Sequence, residues 1–199
     1  MEAAARARDG RTVRAERTRH AVVEALLGLL DEGDLRPTAE RVAGRAGVSE
    51  RSIFQHFGDR EALLEAAAQA QYDRVMPSLR VIDPTLPLGE RLDAFVVQRT
   101  WLLERVKGVR RAALLTESES ETVAGWLTAA RRAKALEVDR VFAAELAAVD
   151  DAERDAVRAA LVAAAAWTAW ESYRFHQRLG PERASAAMRA AMAGLLSGR

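Results

Sequence analysis

At 199 residues, 49% hydrophobic and 30% charged, the chain has enough apolar material for a packed core. The lack of cysteine excludes a disulfide framework, a thiolate metal site and a cysteine nucleophile. A formal net charge of +1 neither marks nor excludes a nucleic-acid binder, so such a function has to show in local charge.

With only 12 Gly and 5 Pro among abundant Ala, Leu, Arg and Glu, the expected fold class is all-α, with about nine helices. The N-terminus lacks the apolar core of a signal peptide. The longest apolar run, from Ala156 through Trp170, is broken by Arg158 and is too alanine-rich for a membrane span. A soluble, cytoplasmic protein is expected.

Residues 1–15 read as a flexible basic arm, with Arg6, Arg8, Arg11 and Arg14 against Glu2 and Asp9. Such a segment is either a fraying terminus or an arm that touches a DNA backbone or minor groove. An amphipathic helix is expected from about Glu16, carried by Val22, Val23, Leu26, Leu27, Leu29 and Leu30, with Gly33 as its stop. Thr38 is placed to cap a second, short helix whose inward positions are Ala39, Val42, Ala43 and Ala46. Gly47 breaks it, and Ser49 caps a third helix. There Ile53 and Phe57, four positions apart, share the buried face. Gly58 ends that helix, and Asp59 caps a fourth that runs to about Met76. Together residues 16–62 read as a helix-turn-helix domain, and 63–199 as a helical body.

A short helix with one apolar side and one polar side, held on a glycine turn, is suited to presentation in a major groove. Arg51 has the bidentate fork that reads guanine, and Gln55 the amide that reads adenine. Thr38, Ser49 and Ser52 offer hydroxyls and helix N-terminal amides to phosphates. Glu50 and Phe54 share the outer side. Between Arg36 and Arg60 five arginines face three acids, a local excess of positive charge. From geometry alone a purely structural three-helix cap fits as well.

The segment TAERVAGRAGVSERSIFQHFGDREALL closely resembles the signature of the tetracycline-repressor (TetR) family of transcriptional regulators. The positions that carry the likeness are Ala43, Ala46, Gly47, Val48, Ser49, Ser52, Ile53, Phe54, His56, Phe57, Arg60, Glu61 and Leu63. The resemblance covers about fifty residues and implies DNA contacts from Thr38, Ser49, Glu50, Arg51, Ser52, Phe54, Gln55, His56 and Arg60. Two positions depart from the usual pattern. Phe54 stands where tyrosine is common and lacks the hydroxyl that meets a phosphate. Arg60 stands where lysine is common and still neutralises one. His56 is either a phosphate contact or a packing residue at a helix C-terminus.

Beyond "VIDPTLPLGE", helical patterns are expected at roughly 88–106, 108–116, 120–147, 151–178 and 182–196. All four tryptophans lie there. Phe95, Trp101, Trp126, Phe142 and Trp167, with Glu171 on the face of Trp167, are the candidate effector-pocket residues; the same aromatics also suit a plain core. Glu171 is a selector for a cationic ligand, a solvated group or a partner for Arg174. The stripe Ala187, Met188, Ala191, Met192 and Leu195 is the candidate homodimer interface, and the resemblance implies a twofold four-helix contact there.

No nucleophile–base constellation or phosphate-cradling loop is present, and His20, His56 and His176 are scattered, so neither an enzyme, a cofactor nor a metal site is expected. The reading is a DNA-binding transcriptional regulator. The expected form is a dimeric repressor on a pseudo-palindromic double-stranded operator, released by a small-molecule effector. An activator, or a helical interaction protein without DNA binding, are the alternatives.

Overall fold

The computed structural model describes the backbone of residues 2–197 and the side chains of residues 12–197. Among them are ten α-helices and no strand. They are α1 (Glu2–Asp31), α2 (Ala39–Ala46), α3 (Glu50–Phe57), α4 (Arg60–Val75), α5 (Leu88–Thr116), α6 (Glu121–Val141), α7 (Ala143–Ala148), α8 (Asp151–Ala164), α9 (Trp167–Glu171) and α10 (Pro181–Ser197). No described helix is long and apolar enough to cross a membrane.

The chain divides into two compact units, Met1–Pro77 with Val106–Ala124, and Ser78–Arg105 with Gly125–Arg199. The first unit thus takes all of α4 and the corner between α5 and α6, where the sequence placed a boundary near residue 62.

In the first unit, Val22, Val23, Leu26, Leu27, Leu29 and Leu30 of α1 are buried, as are Val42 and Ala43 of α2, Ile53 and Phe57 of α3, and Leu63, Leu64 and Ala67 of α4. This is the expected apolar face of each helix. Helix α1 begins at Glu2, so the backbone of residues 2–15, expected as a basic arm, is helical and continuous with it. The side chains of Arg6, Arg8 and Arg11 lie outside the described residues.

The break expected near residue 107 is absent, because α5 is continuous from Leu88 to Thr116. Gly108 serves close approach there. A Cβ at Gly108 would lie 2.9 Å from the Leu30 carbonyl oxygen, so the glycine lets α5 press against the end of α1.

In the second unit two expected helices are cut. Residues 120–147 divide at Phe142, where the buried Arg91 donates to the freed Val141 carbonyl and, at 2.8 Å, to Glu145 Oε2. Its Nε also donates to Leu86 O, 2.8 Å away. Residues 151–178 divide at Ala165–Ala166, where Arg99 Nε donates to Ala165 O at 2.9 Å. A π-helical turn, Ser172–His176, follows α9. Each cut sits where an arginine from elsewhere in the fold takes up a helix-terminal carbonyl.

Candidate nucleic-acid interface

Thr38 is the N-cap of α2, its Oγ1 accepting from the Arg41 amide at 3.2 Å. Gly47 ends α2 in the left-handed region (φ +69°), and its N–H is bonded to Ala43 O and Gly44 O, a conformation that L side chains rarely adopt. The chain therefore turns within Gly47-Val48-Ser49, and Ser49 caps α3 by accepting from the Ser52 amide at 3.2 Å. Both cap oxygens accept locally, which leaves their hydroxyl hydrogens to donate to a phosphate.

Ile53 and Phe57 are buried on the inner side of α3, whereas Glu50, Arg51, Phe54 and Gln55 are exposed and Ser52 and His56 half-buried. Phe54 is 51% exposed, an apolar ring only half covered by its own chain. Arg19 of α1 secures the other end of α3. Its Nη1 donates to the His56 carbonyl at 2.9 Å, and its guanidinium lies 4.4 Å from the centre of the Phe57 ring. Asp59 then caps α4, accepting from the Ala62 amide at 2.8 Å, and sets Arg60 exposed in the first turn. Arg19 was not among the expected site residues. It acts across 37 positions, so no local spacing announces it.

The local positive charge is smaller than the residue count suggested. Arg45 forms a bidentate pair with Glu32, at 2.7 and 2.6 Å, and this bond holds the Glu32 carboxyl below its usual range. Arg41 pairs with Asp34 at 2.7 Å, and Arg36 donates to Leu115 O at 2.8 Å. Among the described residues Arg51, Gln55 and Arg60 have no hydrogen-bond or ion-pair partner. On α3 and the first turn of α4, two cations and one amide thus join the cap hydroxyls as groups left for a ligand.

The expected effector residues divide. Phe95 and Phe142 are fully buried and meet edge to face, with centroids 5.3 Å apart, as core packing. Trp101 is half-buried under Arg105, and Trp126 is half-buried. Trp167 is 4% exposed and lies 6.5 Å from Phe175; its Nε1 is buried without a partner among the described residues. Glu171 is half-buried, and the partner of Arg174 is Glu104, which accepts from Arg174 Nε at 2.7 Å and from Trp170 Nε1 at 3.1 Å.

The expected dimer stripe needs correction. Met188 and Met192 are 0% exposed within a single chain, so they are core residues of the second unit and are not available to a second copy. Ala187, Ala191 and Leu195 are half-buried. The outer side of α10 is instead Ala186, Ala190 and Gly194, and that of the adjacent α8 is Ala156, Ala159 and Ala163.

Among the described residues no group of three or more His, Asp or Glu side chains is arranged to hold a metal.

The described residues thus hold a capped, glycine-turned pair of short helices with a polar face exposed on the second, the arrangement of a helix-turn-helix unit. Residues 22–67 match the family of bacterial regulatory proteins, tetR family. That segment runs from α1 through α2 and α3 into α4, so the likeness to the family rests on these helices. The chain is similar in fold to a transcriptional regulator from Rhodococcus sp. Rha1 (TM-score 0.71, 19% identity, 90% of this chain and 96% of that one). It is also similar to a TetR-like transcriptional regulator from the same strain (TM-score 0.63, 14% identity, 92% and 97%). No curated protein matches the chain.

Proposed function

We infer that the protein is a dimeric, cytoplasmic repressor that binds a pseudo-palindromic operator and leaves it when a small molecule enters the second unit. The observation that carries the reading is the pair Arg51 and Gln55. Both are exposed on α3 and unpartnered, and they are chemically matched to guanine and adenine edges. Thr38, Ser49, Ser52, His56 and Arg60 surround them as phosphate contacts, and Phe54 packs on a sugar or a thymine methyl. Glu50 accepts from a cytosine amino group.

Dimerisation is assigned to the small-residue faces of α8 and α10, with Ala187, Ala191 and Leu195 at the margin. These helices are neighbours, and small side chains allow a second copy to approach closely. The effector reading is supported by the buried, unpartnered Trp167 Nε1, which seeks an acceptor, and by the half-buried Trp101, Trp126 and Glu171. The decisive experiment is selection of bound sequences from random double-stranded DNA. A palindromic consensus is expected, and recovery of no preferred sequence would remove the operator reading.

A further inference from the structure

The first unit contains a cavity of about 190 Å³, partly open to solvent. Its floor is apolar: Leu30 from α1, Val42 from α2, Ile53 from α3 and Leu63 from α4, all buried. Ala112 of α5 forms part of its wall. Its exposed lining residues are Thr38, Phe54, Asp59 and Arg60, which form the mouth. None of the aromatics of the second unit takes part.

We propose that this cavity is a second ligand site, inside the DNA-binding unit, for a neutral single-ring aromatic that carries one hydroxyl. Size limits the class. An apolar cavity of about 150 Å³ is enough to hold benzene, so this one takes a ring with one small substituent and nothing much larger. Charge limits it further. The mouth presents one carboxylate, Asp59, beside one guanidinium, Arg60. A ligand acid would face Asp59 and a ligand ammonium would face Arg60. A hydroxyl satisfies both, donating to the carboxylate and accepting from the guanidinium. The ring then packs on Ile53 and against Phe54.

Occupancy bears on DNA directly, which rests on the reading of α3 and Arg60 as DNA contacts. The cavity wall includes Ile53 and Phe54 of α3 and the first turn of α4, so a bound ring holds these two elements at their present spacing and opposes any adjustment between them on the duplex.

Phenol is the probe, and the full chain with labelled Leu, Val and Ile methyl groups is the sample. Phenol should move the methyl signals of Leu30, Val42, Ile53 and Leu63, with half-saturation at about 1 mM, as expected for so few ligand atoms. Ala112→Leu, or Thr116→Leu if the first variant does not fold, fills the space and should abolish those shifts. At saturating phenol the operator dissociation constant of the wild type should rise about tenfold, within the usual range of coupling, with no change in the filled variant. Signals that stay still, that move only in the second unit, or that move equally in the filled variants overturn the site. Methyl shifts with unchanged operator affinity overturn the control of DNA binding. Because the methyl signals are read without DNA, failure to find an operator is distinguishable from failure of the site.

Discussion

Arg19 Nη1 donates to the carbonyl oxygen of His56 across 2.9 Å, and the same guanidinium covers the Phe57 ring. The last turn of a helix leaves carbonyls without partners, and in an eight-residue helix that turn is nearly half of the element. Arg19 therefore determines where the C-terminal end of α3 sits. Replacing it by alanine should cost about 1–2 kcal/mol of stability, the value of one charged hydrogen bond with an exposed ring contact. It should weaken operator and non-operator DNA alike, and lysine should recover part of the loss. Urea melts and gel shifts on the three proteins check this; an alanine variant with unchanged stability and affinity removes the role.

Arg51→Ala and Gln55→Ala should each lose about 1–3 kcal/mol of discrimination at particular base pairs. Arg60→Ala should instead weaken all sequences equally and reduce the salt slope of binding by about one. Titrations against the selected site and single-base variants, at several salt concentrations, separate the two behaviours. A uniform loss for Arg51→Ala would place that residue on the phosphate backbone.

The two faces of α10 should behave differently. Met188→Ala empties a fully buried position and should cost about 2–5 kcal/mol while leaving assembly intact. Ala190→Glu lies on the exposed face and should leave the melting curve of the chain little changed, but shift the dimer toward monomer and lose tight operator binding. Light scattering with thermal melts reads both. A dimeric Ala190→Glu protein would move the interface elsewhere.

The Arg91–Glu145 pair gives the second unit an acid-sensitive element. The Arg91 hydrogen bond holds the Glu145 carboxyl below its usual range. For an acid with a depressed folded-state pKa, the stabilisation is complete above the ordinary carboxylate range and is lost as pH falls through the depressed value. Glu145→Gln should cost about 3–5 kcal/mol at neutral pH, because Arg91 stays buried without its counter-charge. The variant should also show a flatter loss of stability below about pH 4. Denaturant titrations from pH 3 to 7 test this, and parallel curves for the two proteins would falsify it.

Effector and operator should each weaken the other by the same factor, since both act on one equilibrium. Once thermal-shift screening has found an effector, its affinity is to be measured with and without operator at fixed salt. Equal values would exclude coupling for that effector.

How much of this was legible without the fold depends on the range of the interaction. Caps, glycine turns and apolar periodicity act within about four residues. Thr38, Gly47, Ser49, Ile53, Phe57 and Asp59 could therefore be assigned from spacing alone, and the structure finds each in its expected local role. The exposed side of α3 followed from the same periodicity. Periodicity shows that a face is buried but not against what, so Met188 and Met192 read equally well as a dimer stripe and as the core they form. Likewise a count of arginines carries no information about partners. Only the fold shows that Arg36, Arg41 and Arg45 are engaged at home, that Arg91 and Arg99 close helix ends, and that Arg51 and Arg60 have no side-chain partner among the described residues. These pairings depend on which distant segments the packed helices bring within 3 Å. That is a property of the tertiary arrangement and of no local stretch of sequence.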